Sequence, residues 1–127
     1  MKLTKEQKIA YALRQMGVHQ DLKGYRYLRV AIGAVVDHPE LIDNITKKLY
    51  PYVANECGTT PLRVERAIRH AIETSWYEIP YDALQDVFGY SVPVSKDKPT
   101  NSHYIAAVAE VISEYVEHII LPKDGDE

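Results

Sequence analysis

The sequence has few of the residues that build disulfide-linked or membrane-spanning proteins. Its 127 residues include a single cysteine, Cys57, so no internal disulfide can form and the chain fits a reducing compartment. No apolar run approaches the roughly 18 residues of a membrane span. Residues 1–6 lack the apolar core of a secretory signal. We therefore predict a cytoplasmic protein that makes no membrane contact.

Motifs of catalysis and metal binding are missing too. The phosphate-binding patterns GxxxxGK and GxGxxG and the nucleophile pattern GxSxG do not occur. The five histidines are scattered, and none stands three or four positions from another histidine or from the cysteine, as zinc ligands would. We therefore expect no cofactor, no metal and no enzymatic activity.

Charge, by contrast, is plentiful and unevenly distributed. The formal net charge is −3, but residues 1–70 carry twelve Lys and Arg against seven Asp and Glu, whereas residues 71–127 carry three against eleven. A DNA-binding face needs local rather than global positive charge, so the first part of the chain can provide one. The acidic part would then face away from DNA or toward a protein partner. We predict one domain over residues 1–121 and a disordered acidic tail over residues 122–127.

Apolar residues recur at helical spacing along most of the chain, and no alternating strand stands out, so the pattern predicts an all-α fold. The predicted helices cover residues 4–17, 25–37, 40–57, 61–76 and 80–88, with a last one that Asn101 or Ser102 would cap. Pro51 should break the third, leaving a short helix that ends at Gly58. A loop over residues 90–101, with a short β excursion at 90–94, precedes the last helix.

The most informative stretch is TTPLRVERAIRHAIE at residues 59–73. Thr60 is a good N-cap, and Pro61 would occupy the first helical position, where a missing N–H has no consequence. One side of this helix is apolar, and the other carries Arg63, Arg66 and Arg69. Such a face can read guanine edges in a major groove, or it can be a solvated face whose arginines pair with nearby glutamates. The short helix and glycine turn before it favour a helix-turn-helix.

A second positive feature lies before the last helix. Lys96 and Lys98 precede the helix start at Asn101 and Ser102, and the free N–H groups of a helix start attract phosphate. The alternative is an exposed loop with ordinary lysines.

Residues 63–73 resemble the recognition helix of the C-terminal DNA-binding effector domain of the sporulation stage-zero master response regulator. Further similar stretches are KGY at 23–25, YLR at 27–29, ITK at 45–47, LYP at 49–51, FGY at 88–90 and KPTNS at 98–102. The resemblance runs from Lys5 to Ile112. It implies a six-helix domain with a helix-turn-helix that binds a box of the TGTCGAA type on double-stranded DNA.

The resemblance also implies roles for individual residues. Base edges would be contacted by Arg63, Glu65 and Arg66. The DNA backbone would be contacted by Lys47, Thr59, Thr60, Arg69, His70, Lys96, Lys98, Asn101 and Ser102. Adjacent copies would associate on tandem boxes, and a polymerase sigma factor would contact Trp76, Tyr81, Asp82, Asp86 and Phe88.

This chain departs from the family pattern at several points. The family's effector follows a phosphorylatable receiver domain, and these 127 residues include none, so we expect the chain to be either part of a longer protein or a stand-alone protein. Pro61 and Leu62 replace the small residues usual at the start of the recognition helix, and Asp97 stands between the two lysines. Two functions follow: a sequence-specific transcription regulator, or a receiver-less interaction module that modulates a full-length regulator or RNA polymerase without reading DNA.

Overall fold

The computed structural model describes residues 3–88 and 97–114, and over these ranges it contains six α-helices and no strand. This confirms the predicted all-α, six-helix fold. The predicted β excursion at 90–94 and the predicted tail at 122–127 lie outside the described residues. The helices are α1 Lys5–Gln15, α2 Lys23–Asp37, α3 Tyr50–Cys57, α4 Pro61–Ser75, α5 Tyr81–Phe88 and α6 Asn101–Glu114.

Helix α1 begins and ends where local chemistry requires it. The Thr4 hydroxyl accepts a hydrogen bond from the Gln7 N–H (3.1 Å), and the Gln7 side-chain oxygen accepts one from the Thr4 N–H (2.9 Å). This reciprocal capping box satisfies two N–H groups that the helix itself leaves unpaired. The chain then leaves the helix through Gly17, whose φ of 76° favours glycine.

The segment before α3 differs from the prediction. We expected an α-helix from Glu40 with a break at Pro51, but Pro39–Asn44 form a 3₁₀ helix and Ile45–Leu49 a π-helical turn. The Tyr50 N–H donates to the carbonyl of Ile45, five residues back. Pro51 lies in the first turn of α3, where its missing N–H leaves no hydrogen bond unmade, so the break falls before Tyr50.

Helix α2 is the centre of the domain, since α1, α3, α4 and α6 all pack against it. Leu28, Ala31 and Ile32 are fully buried on it, and burial of such side chains is the main stabilising contribution to the fold. At its C-terminal end, Asp37 accepts a hydrogen bond from the Lys5 ammonium group (2.6 Å), which joins α1 to α2.

The second half of the domain continues directly from α4. A 3₁₀ turn, Trp76–Glu78, follows that helix, and α5 then packs against α6. Thr100 caps α6 by accepting from the His103 N–H (3.1 Å), so the cap lies one residue before Asn101, the earlier of the two predicted positions. No helix in the described ranges is long and apolar enough to cross a membrane.

Candidate nucleic-acid interface

The connection between α3 and α4 is a three-residue turn that the local sequence determines. Gly58 has a φ of 68°, and the Thr59 N–H closes the end of α3 on the Ala54 carbonyl (2.9 Å). The Thr60 hydroxyl then caps α4 by accepting from the Arg63 N–H (3.3 Å), and Pro61 is the first helical residue. These contacts confirm the predicted cap, turn and proline position, and they produce a short helix followed closely by a longer one.

Helix α4 has one buried face and one exposed face, as predicted. The face turned to the core carries Val64, Ile68, Ala71, Ile72 and Ser75. The opposite face is exposed and carries Leu62, Arg63, Arg66, Arg69, His70 and Glu73. Because the buried face is packed against α2, α3 and α6, the arginine-bearing face is held toward solvent.

The start of α2 holds α4 at unusually short range. A Cβ atom at Gly24 would lie 2.2 Å from the Ala67 carbonyl oxygen and 2.7 Å from the Ala71 Cβ, so only glycine fits. The sequence reasoning gave Gly24 no structural role. Its signal was weak, because a glycine near a helix start predicts a turn as readily as a close helix contact.

A groove of about 430 Å³ runs between the start of α2 and the exposed side of α4. The basic side chains that line it are those of Lys23, Arg63, Arg66 and His70. The sequence reasoning missed Lys23, although it stands at the first position of α2. The positive charges of Lys23, Arg63 and Arg66 beside one groove favour the binding of an anion such as a DNA phosphate.

The arginines of α4 differ in their ion pairs. The Arg69 guanidinium donates to the Glu65 carboxylate one helical turn earlier, as the alternative interpretation of this face predicted. In the described part of the chain, neither Arg63 nor Arg66 has a carboxylate partner. The Glu65 side chain is only 21% exposed, so its carboxylate lies at the edge of the exposed face.

Residues from the KPTNS stretch reach α4 and α3. The Asn101 side-chain amide donates both to the Tyr50 hydroxyl and to the Glu65 carbonyl (3.1 Å each). Burial raises the pKa of Tyr50, although the hydrogen bond from Asn101 and the charge of Arg69 act in the opposite direction. The hydroxyl therefore stays protonated at neutral pH, and its oxygen accepts from Asn101.

The other predicted backbone contacts surround this site to different extents. Lys98 is exposed and pairs with Glu73 of α4 (3.2 Å), while Ser102 is half-buried in the first turn of α6. Lys47 is exposed in the turn before α3, and Thr59 lines the groove. Lys96 lies outside the described residues.

The predicted partner surface after α4 needs one correction. Trp76 is 3% exposed, and its ring packs edge-on against Tyr104 at a centroid distance of 6.4 Å, so it belongs to the core. Tyr81 and Asp82 are exposed at the start of α5. The side chains of Asp86 and Phe88 lie outside the described part of the structure.

A short helix, a glycine turn and a capped helix with an exposed basic face together define a helix-turn-helix DNA-binding domain. Comparison with known protein families agrees. The model of the family described as "Sporulation initiation factor Spo0A C terminal" matches residues 9–112. The chain therefore belongs to this family, whose members are DNA-binding regulatory domains rather than enzymes. Its function is accordingly DNA binding in transcription regulation. Within residues 3–88 and 97–114, no group of His, Cys, Asp and Glu could hold a metal ion.

Proposed function

We propose that the chain regulates transcription by reading a TGTCGAA-type box with α4 in the major groove. Arg63 and Arg66 would each pair with a guanine through the two acceptors on its major-groove edge. Glu65 is the third proposed base contact, with its carboxylate accepting from a cytosine amino group. Because Arg69 already pairs with that carboxylate, the carboxylate would either accept from Arg69 and the cytosine together, or Arg69 would leave it to contact a phosphate.

The observation that carries this proposal is that the guanidinium groups of Arg63 and Arg66 are exposed and not engaged in ion pairs within the described part of the chain. Both are exposed in the first two turns of α4, and neither is neutralised by a carboxylate in the described part of the chain. The residues near the N-terminus of a recognition helix are those that reach base edges in helix-turn-helix complexes. Two unpaired guanidinium groups at that position can form bidentate hydrogen bonds without first breaking an ion pair.

Contacts to the DNA backbone would surround these base-contacting residues of α4. Thr59 and Thr60 immediately precede α4, and His70, in the third turn of that helix, lines the same groove as Lys23. Lys47, Arg69 and Lys98 would add phosphate contacts on the other sides. Lys96, Asn101 and Ser102 complete the proposed set, although the amide of Asn101 is already engaged by Tyr50 and Glu65. Such contacts raise the affinity for every sequence and make binding depend on salt.

An unbiased selection of bound duplexes at defined salt tests the proposal. We expect enrichment of a TGTCGAA-like box. Arg66→Ala should then lower discrimination against a changed guanine by about 1–3 kcal/mol, the contribution of one bidentate pair.

Arg14→Ala is the matched control, because Arg14 is an exposed arginine on α1, which packs on α2 and α6. It removes the same charge and should leave discrimination unchanged. Binding that depends on salt but not on sequence, or an Arg66→Ala variant with unaltered discrimination, would contradict the proposal.

A second candidate function rests on the surface that follows α4. Tyr77 and Tyr81 are 68% and 63% exposed, and the acidic Glu78 and Asp82 stand beside them. Exposed tyrosines among acidic groups suit a basic protein partner, such as a sigma factor or a full-length regulator. On this alternative, Tyr81→Ala would abolish a stable complex with that partner, and no duplex would be selected.

A further inference from the structure

Leu62 is an exposed aliphatic side chain on a face that is otherwise polar. It is 55% exposed, and the other large hydrophobic residues exposed in residues 3–88 and 97–114 are the tyrosines 52, 77 and 81. Tyrosine hydroxyls remain satisfied by water, but a leucine in water gains nothing from its surroundings. Leu62 also contributes no packing to the core, since the buried side of α4 begins at Val64.

The position of Leu62 on α4 determines the direction in which its exposed side chain extends. It is the second residue of the helix, and Arg66 lies one turn further along the same face. Side chains of a helix lean toward its N-terminus, so Leu62 extends from the end of α4 that would enter the groove first. An apolar group therefore precedes Arg63 and Arg66, the two arginines of α4 that have no carboxylate partner in the described part of the chain.

We propose that Leu62 contacts the 5-methyl group of a thymine and selects that base. Thymine is the one base whose major-groove edge carries a methyl group, and leucine offers no hydrogen bond to the acceptors or donors of the other bases. This inference rests on the proposed function, because it requires α4 to lie in the major groove. Its target is a thymine next to the guanine that Arg63 or Arg66 reads.

Replacing single thymines by deoxyuridine provides the test, since this change deletes only the methyl group. Duplexes carrying the selected box are prepared with each thymine of either strand replaced in turn, and their affinities are measured at one salt concentration. We expect one position at which the wild-type protein binds the deoxyuridine duplex about fourfold more weakly, the effect of one buried methyl group.

Variants then assign that loss to a side chain. Leu62→Ala should bind the thymine and deoxyuridine duplexes equally, and Leu62→Met should retain a preference for thymine. Arg66→Ala should weaken both duplexes while keeping the ratio between them. Because Leu62 is exposed, the thermal midpoint of Leu62→Ala should match that of the wild type.

The outcomes separate the two proposals. If no box is selected, the proposed function fails and this inference falls with it. If a box is selected but no thymine methyl affects affinity, or if Leu62→Ala keeps the wild-type preference for thymine, the inference is wrong and the proposed function stands.

Discussion

The ammonium group of Lys98 lies 3.2 Å from the carboxylate of Glu73, which joins the segment before α6 to the exposed face of α4. The two side chains are 39% and 43% exposed, so this pair contributes at most about 1 kcal/mol to stability. A DNA phosphate can therefore replace the carboxylate at little cost. The relationship makes Glu73 an internal competitor for a lysine that we propose as a backbone contact.

Removing the competitor should strengthen DNA binding without altering selectivity. We expect Glu73→Gln to raise the affinity for every duplex and Lys98→Ala to lower it equally for all sequences. If Lys98 neutralises one phosphate, its loss should reduce the slope of log affinity against log salt by about 0.9. Titrations at several salt concentrations measure both effects.

Glu110→Gln, a substitution at an exposed acidic position on α6, controls for the change in net charge. An unchanged slope in Lys98→Ala would remove Lys98 from the interface.

The contact between Gly24 and α4 should make this position intolerant of any side chain. A Cβ there would lie 2.2 Å from a backbone carbonyl oxygen, so Gly24→Ala must push α4 away from α2. We expect the free energy of unfolding to fall by about 1–3 kcal/mol, as for other overpacked sites. Denaturant titration measures this loss.

Gly33→Ala is the matched control on the same helix. A Cβ at Gly33 would meet its nearest neighbour, the Ile9 Cδ1, at an ordinary 3.6 Å. We expect a stability within about 1 kcal/mol of the wild type, since alanine is the better helix former. Equal effects of the two substitutions would show that the approach of α2 to α4 is not as tight as described.

The parts of α4 that the sequence predicted correctly are those decided by near neighbours. Thr60 and Pro61 define its start through contacts within one helical turn, and the spacing of Val64 and Ile68 defines its buried face. The class of the site did not follow from this stretch alone, whose arginines could equally form a solvated face; the short helix and the glycine turn before it favoured the helix-turn-helix.

Relationships between distant segments could not be predicted in the same way. Nothing in the spacing of Glu73 and Lys98 indicates their ion pair, and Gly24 is explained only by the carbonyl of Ala67 against it. The burial of Trp76 likewise depends on Tyr104, which belongs to a different helix. The irregular turns over 39–49 were missed because their apolar residues also fit an α-helix.

The two hydrogen bonds from the Asn101 amide should stabilise the domain measurably. They connect the start of α6 to Tyr50 on α3 and to the backbone of α4. Asn101→Ala leaves the half-buried Glu65 carbonyl without this donor, so we expect a loss of about 1–3 kcal/mol in the free energy of unfolding. Asn55→Ala, an exposed position on α3, should have little effect.

A double-mutant cycle isolates the bond to Tyr50. Tyr50→Phe removes the hydroxyl alone, and we expect a coupling with Asn101→Ala of about 0.5–1.5 kcal/mol. Strict additivity of the two substitutions would mean that this hydrogen bond contributes nothing to stability.

Tyr104 should make the fold sensitive to alkaline pH. Its side chain is fully buried, and burial raises its pKa above the ordinary 10.0. Above about pH 10 the unfolded chain releases this proton and the folded chain keeps it, so the unfolded state binds fewer protons and stability falls as pH rises. The contribution of Tyr104 is therefore fully present below pH 10 and lost above it, with a limiting slope of about 1.4 kcal/mol per pH unit.

Tyr104→Phe should flatten the dependence of unfolding free energy on pH between about pH 10 and 12, whatever it does to stability at neutral pH. Equal slopes in the Tyr104→Phe variant and the wild type would contradict the raised pKa.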